Sequence, residues 1–244
     1  MLSNHETSMQ TRPHSRAATH READLVWRAL WRKQVPRISG RMCTPFLEGL
    51  RRARLAPDRL PRHAELSRRL EDLAGWRIQT VPGLVPPRDF FALLRDRRFP
   101  SPEWIRGREN FEYTPEPDAF HDVFGHVPQL VRPEFQEVLG ELADQAHGAD
   151  ERELEEIERI YWFTIEFGLV REAGELRAMG AGLASSVDEL TRSLSASEVR
   201  RLPFRASDAR RRSFETDRPQ EVYLVASSLE QLGRELGGRS SRCR

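Results

Sequence analysis

Apolar positions recur at helical spacing along most of the chain. Leu25, Val26, Leu30 and Trp31 form one stripe through residues 21–34, and Leu66 and Leu70 form another within 62–74. Thr44 followed by Pro45 predicts an N-cap with proline at the first helical position, opening a helix that carries Phe46, Leu47 and Leu50. Pro86 and Pro87 open another, with Phe90, Phe91 and Leu94. Residues 132–147 and 150–172 predict two longer helices, and the acidic turn at 150–153 suits the positive end of a helix dipole. Strand-like patterns are local: 76–81, which stops at Pro82-Gly83, then 175–179 and 221–226. A last helix is predicted over 227–236. The expected fold class is mostly α (α+β), one domain over 21–236 with a small β element. The polar, aperiodic stretch 1–20 and residues 237–244 read as disordered tails.

Charge alters this picture little. Lys and Arg total 39 and Asp and Glu 38, for a net charge of +1, and Lys33 is the single lysine. So many guanidinium groups would suit phosphate. Acids and bases interleave, however, where a nucleic-acid binder shows a basic face, so no nucleic-acid partner is expected. A hydrophobic fraction of 38% suffices for a core in a chain of 244 residues. No run approaches the roughly 18 apolar residues of a membrane span, and the N-terminus lacks the apolar segment of a secretion signal, so no membrane partner is expected. Cys43 and Cys243 are too few and too far apart for a disulfide framework, which points to a reducing cytoplasm.

Two segments carry candidate chemistry. His121 and His126 stand five apart in an apolar setting. On an ideal α-helix five residues leave two side chains about 140° apart, so the pair does not share a face and is not the i, i+4 pair of zinc proteases. A widened π-like turn, or a helix ending at Gly125, would let the rings converge. Glu166 lies in the apolar and aromatic run 160–170. A buried carboxylate there must be paired, metal-bound or neutralised. The residue types leave two readings open. Either the histidines are hydrogen-bonded core residues and an arginine meets Glu166, or the three form a 2-His-1-carboxylate face on non-haem Fe(II).

The strings Thr114-Pro-Glu-Pro-Asp118, His121-Asp-Val-Phe-Gly-His126-Val-Pro and Tyr161-Trp-Phe-Thr-Ile-Glu166-Phe-Gly-Leu resemble the signatures of the pterin-dependent aromatic amino acid hydroxylases, and in particular their short bacterial phenylalanine-hydroxylating members. The resemblance runs from about Trp27 to Leu236 and includes 81–86 and 179–186. It implies a helical, basket-like catalytic domain that hydroxylates L-phenylalanine to L-tyrosine with O2, using Fe(II) and a tetrahydrobiopterin-like tetrahydropterin. The same chemistry on L-tryptophan or L-tyrosine is the alternative, as is a catalytically silent protein of the same fold.

Position by position, the resemblance implies that His121, His126 and Glu166 are the iron ligands. Gly83, Leu84, Val85, Phe90, Asp122 and Tyr161 would meet the pterin. Arg106 would hold the substrate carboxylate, a bidentate task suited to a guanidinium, with Asp118 orienting it. Thr114 and Ser185 would complete the carboxylate and amine contacts. Pro117 and Trp162 would wall the aromatic pocket, Gly182 would leave room for the ring, and Glu189 would be a supporting polar group. The length leaves no space for the regulatory and oligomerisation segments of animal members, so a monomer acting on small molecules is expected.

Overall fold

The computed structural model of the protein describes residues 19–107, 111, 116–216 and 218–237. Helix α1 (His20–Ile38) begins at a capping box, in which the Thr19 hydroxyl and the Glu22 carboxylate satisfy one another's backbone N–H groups. It runs through Pro36, one turn beyond the predicted end, and buries Val26, Trp27 and Leu30. Helix α2 (Thr44–Ala53) starts where the Thr-Pro pair predicted, but its cap comes from elsewhere. Cys43 takes the N-cap position without a side-chain bond, and the Glu172 carboxylate accepts from the Thr44 N–H and hydroxyl, each at 3.0 Å. The negative charge there meets the positive helix end. Helix α3 (His63–Ala74) closes on Gly75 in the left-handed region.

Strand β1 (Arg77–Thr80), helix α4 (Pro87–Arg95) and strand β2 (Arg98–Ser101) form a βαβ unit, the strands pairing in parallel from Arg77–Arg98 to Thr80–Ser101. β2 contains a proline and no alternation, so its pattern did not announce a strand. Next come a first π-helix (His121–His126), α5 (Val127–Leu130), α6 (Pro133–Ala146), α7 (Glu151–Tyr161) and a second π-helix (Trp162–Glu166). The expectation of one helix over 150–172 is thereby corrected. The α-helix stops at Tyr161, the π-turn ends at Glu166, and Leu169–Glu172 is strand β3. The apolar run that leads into Leu169 and Val170 fits a strand as well as a helix, and pairing settles it.

Strand β4 (Glu175–Ala178), α8 (Ala181–Ser185), α9 (Val187–Ser195), β5 (Arg200–Pro203), α10 (Ala206–Ala209), β6 (Val222–Ala226) and α11 (Leu229–Gly237) complete the order. The four-stranded sheet runs β4-β3-β6-β5, antiparallel between β3 and β4 and parallel elsewhere. β5, with Arg200, Arg201 and Pro203, is an edge strand, a place where proline and charge are tolerated. Helix α6 packs against α4, α7 and α11, giving the mostly helical basket with a minor β element. Several arginines act as helix caps. Arg201 donates to the carbonyls of Arg192, Ser193 and Ala196 at the end of α9, and Arg69 to those of Ala53 and Arg54 at the end of α2. Helices α1 and α11 take in His20 and Gly237, one residue into each stretch expected as tail.

Candidate active site

The two π-helices build the centre of the site. In the first, the Val127 N–H donates to the Asp122 carbonyl, an i→i−5 bond that widens the turn. Residues five apart then return to one side, and the His121 and His126 rings lie 4.9 Å apart. Phe120 and Phe124 stack at 4.8 Å and press edge-on against Trp27 and Trp31 of α1, which anchors the turn. Gly125 contributes a close approach and not an unusual backbone angle: an added Cβ would lie 2.8 Å from the Ala181 carbonyl oxygen, so its absence lets α8 reach the π-helix. In the second π-helix the Phe167 N–H donates to the Trp162 carbonyl at 2.8 Å, and Glu166 ends the turn facing the histidines.

Glu166 Oε1 is 2.9 Å from His126 Nε2, Oε2 is 3.5 Å from His121 Nε2, and the two Nε2 atoms are 3.1 Å apart. The far ring nitrogens define the tautomers. The Ser185 hydroxyl donates to the Ala181 carbonyl at 3.0 Å, so it accepts from His121 Nδ1–H at 2.9 Å. The Gln129 amide donates to the carbonyls of Ile165 and Met179, both at 3.0 Å, so its oxygen accepts from His126 Nδ1–H at 3.1 Å. Both Nε2 atoms therefore present lone pairs to each other and to a carboxylate. A positive charge reconciles such a trio, either a proton on one Nε2 or a metal ion. Two imidazoles and one carboxylate on one side, the rest of the sphere open, fit divalent iron. Burial disfavours ionised Glu166, but His126 and His121 overcome this and hold its carboxyl well below the usual range. Burial lowers His126, whereas at His121 the charge of Glu166 outweighs burial and raises it.

An open cavity of about 100 Å³ adjoins the trio. Gly83, Leu84, Val85, Phe90, Pro117, Asp122 and Tyr161 all line it. The loop between β1 and α4 supplies the first three, at the carboxyl end of the parallel strands, a common ligand position in βαβ units. Leu84 is 67% exposed, and Phe90 stands edge-on to Tyr161 at 5.2 Å. Among the described residues the buried Tyr161 hydroxyl has no hydrogen-bond partner, and burial, with the charges of Glu166 and Asp122, raises its pKa well above the usual value. Burial likewise pushes Asp122 up to about 7. An exposed apolar wall beside an orphaned hydroxyl and a carboxyl fits a flat, polar-edged heterocycle. A larger cavity of about 480 Å³, lined by Phe163, Arg212 and Phe214, shares none of these residues.

The expected substrate residues are dispersed. Arg106 and Asp118 form a buried bidentate pair, Nε to Oδ2 at 2.9 Å and Nη2 to Oδ1 at 2.8 Å, which leaves the Nη1–Nη2 edge unused by Asp118. Asp118 also accepts from the backbone N–H groups of Arg106 and His121, tying the pair to the first π-helix. The Arg106 charge overcomes the burial of Asp118 and lowers its carboxyl. Ser185 lies under His121, as described, and not on an open wall. The space over Gly182 is taken by Phe167, whose Cζ would be 2.7 Å from an added Cβ, so it is not left for a ring. Trp162 packs between Phe167 and Phe214 at 4.5 and 4.4 Å and donates to the Gln220 side chain. Glu189 accepts from the Gln220 N–H and the Tyr223 hydroxyl, pinning that segment to α9. Thr114 lies outside the described residues. Sequence reasoning missed Gln129, whose only signal is an amide inside the otherwise apolar stretch 127–131.

The description of a family of biopterin-dependent aromatic amino acid hydroxylases matches residues 11–241. A phenylalanine-4-hydroxylase of Mesorhizobium japonicum is 40% identical over 217 residues, 86% of this chain and 77% of the relative. One of Ralstonia nicotianae is 38% identical over 212 residues, 85% of this chain and 66% of the relative, so the chain spans about two thirds to three quarters of these proteins. The crystal structure of Chromobacterium violaceum phenylalanine hydroxylase with bound iron(III) and 7,8-dihydrobiopterin superposes with a TM-score of 0.85 at 34% identity, covering 95% of this chain and 86% of that one.

Proposed function

The chain belongs to the biopterin-dependent aromatic amino acid hydroxylases, and from that premise we propose that it is an Fe(II)- and tetrahydropterin-dependent phenylalanine 4-monooxygenase. The observation that carries this reading is the convergence of two Nδ1–H histidines and Glu166 beside an aromatic-walled cavity. Bound Fe(II) and reduced pterin would supply the activation of O2 for hydroxylation of the ring. The chain's own part is binding, orientation and exclusion of water. His121 and His126 present Nε2, and Glu166 one or both oxygens, leaving positions free. Phe90 and Leu84 offer apolar surface to the pterin, the 83–85 backbone its hydrogen-bonding edge, and Asp122 and Tyr161 its polar side.

For the substrate, Arg106 offers its remaining guanidinium edge to the α-carboxylate while Asp118 holds the opposite edge still. Trp162 and Pro117 wall the ring, Thr114 completes the carboxylate contacts, and Glu189 supports Trp162 through Gln220. Ser185 and Gly182 act from behind the site, on His121 and Phe167. We place the protein in the cytoplasm as a monomer acting on small molecules, without nucleic-acid or membrane partners. Its one described cysteine, Cys43, is a buried free thiol, and no helix among the described residues is long and apolar enough to cross a membrane.

Anaerobic loading with Fe(II), followed by O2, tetrahydropterin and phenylalanine, should yield tyrosine. Absence of tyrosine from iron-loaded protein refutes the reading, and faster turnover of tryptophan or tyrosine moves the substrate assignment to them.

A further inference from the structure

We infer that Gln129 is a positioning residue for the metal site, fixing His126 as its Nδ1–H tautomer and binding the two π-helices together. The inference rests on the reading of His126 and Glu166 as metal ligands. Gln129 is fully buried on α5, among Val127, Pro128 and Leu130. An amide in such surroundings costs free energy unless every polar atom is matched, and here each one is. Both amide protons go to backbone carbonyls, of Ile165 and Met179 at 3.0 Å each. A flipped amide would set its oxygen against two carbonyl oxygens, so the orientation is unique. The oxygen then faces His126 Nδ1 at 3.1 Å and can only accept.

The consequences meet at the trio. His126 is left with its lone pair on Nε2, directed at Glu166 Oε1. The Ile165 carbonyl belongs to the residue before Glu166, and the Met179 carbonyl precedes the turn into α8, which carries Ser185 under His121. One side chain thus links the segments bearing all three ligands. Packing alone would be served equally well by leucine, which has nearly the same volume and no matched polar atoms to provide.

The test uses metal-free whole protein titrated with Co(II), whose d–d absorption reads ligand geometry, alongside circular dichroism. Gln129→Leu removes the acceptor and both donors, whereas Gln129→Glu retains an oxygen acceptor. The leucine variant should fold yet bind Co(II) about 10–100-fold more weakly, with a changed d–d band, as loss of an outer partner to a ligating histidine does. The glutamate variant should melt at lower temperature but bind Co(II) no more weakly than the wild type. The KM for phenylalanine at saturating metal should be unchanged in both. Equal affinity in the leucine variant, or equal losses in both variants, overturns the inference. If neither variant folds, a two-bond 1H–15N correlation on metal-free wild type above the imidazole titration range still reads the tautomer. His126 protonated on Nδ1 supports the assignment, and protonation on Nε2 overturns it. Wild type that takes up no Co(II) removes the reading of the site itself, a result distinct from a variant that binds as well as wild type.

Discussion

Two ionic clusters, one fully buried and one half-buried, stand side by side in this protein and are built on opposite principles. Arg106 and Asp118 balance each other's charge: one guanidinium edge meets a carboxylate, and two backbone N–H groups occupy the carboxylate's remaining lone pairs. His121, His126 and Glu166 are incomplete. Each histidine is held from behind by a neutral partner, and three ligand atoms face one another with no arginine or lysine among the described residues paired to Glu166. Where the fold needs a fixed strut, the sequence provides both charges. Where it needs a ligand, it provides only donors and the shell that aims them.

The comparison breaks most visibly at the incomplete cluster. Alanine at His121, His126 or Glu166 should abolish stoichiometric iron binding and tyrosine formation, while the metal-free variant melts close to the metal-free wild type. Iron content by atomic emission and a thermal melt check both halves, and a variant that keeps its iron would show the trio to be ordinary core. At the balanced cluster the pattern should reverse. Asp118→Asn leaves a buried guanidinium uncompensated and should cost about 3–5 kcal/mol. That is roughly 10 °C in melting temperature for a chain of this size, and it should be the same with and without metal. A neutral Asp118→Asn would show that Arg106 finds its counter-charge elsewhere.

A smaller effect sharpens the link between the trio and its shell. Gly125→Ala sets a Cβ 2.8 Å from the Ala181 carbonyl and pushes α8, with Ser185, away from His121. Overpacking of this kind costs about 1–3 kcal/mol, and Co(II) affinity should fall with it. Unchanged affinity would mean that Ser185 does not orient His121. The smallest effect lies outside both clusters, at His63, which is bonded to Thr80 at 2.8 Å and whose pKa burial lowers. A histidine with a lowered folded pKa contributes stability that is present above its unfolded value, near 6.5, and lost as pH falls through the folded one. Urea midpoints should therefore drop between pH 7 and pH 5, and His63→Gln should flatten that slope.

Much of the helical framework was legible because amphipathic stripes and turn residues act locally. The stripe through Leu66 and Leu70 marked α3, and Pro86-Pro87 marked α4. The errors came where pairing partners lie far off in sequence. Residues 162–172 read as helix, yet β3 exists because β4 and β6 flank it. β2 and β5 carry prolines and no alternation, and only their neighbours make them strands. The Thr44 cap was misplaced by one residue because its true acceptor, Glu172, arrives from the sheet.

By itself the sequence determined which residue types were available for chemistry. Two histidines five apart, a lone carboxylate in an apolar run and an aromatic-lined loop after a strand are facts of composition and order, and their strings carried the family resemblance. Tertiary structure alone decided how they meet. A spacing of five converges only if the turn widens to i→i−5, and that widening depends on packing by Trp27, Trp31 and α8. Ser185 sits beneath His121 because segments 64 residues apart are brought within hydrogen-bond reach, and Gln129, only three residues from His126, is oriented toward it by carbonyls 36 and 50 residues away. Tautomers follow from such contacts, since which nitrogen keeps its proton depends on what the other one touches.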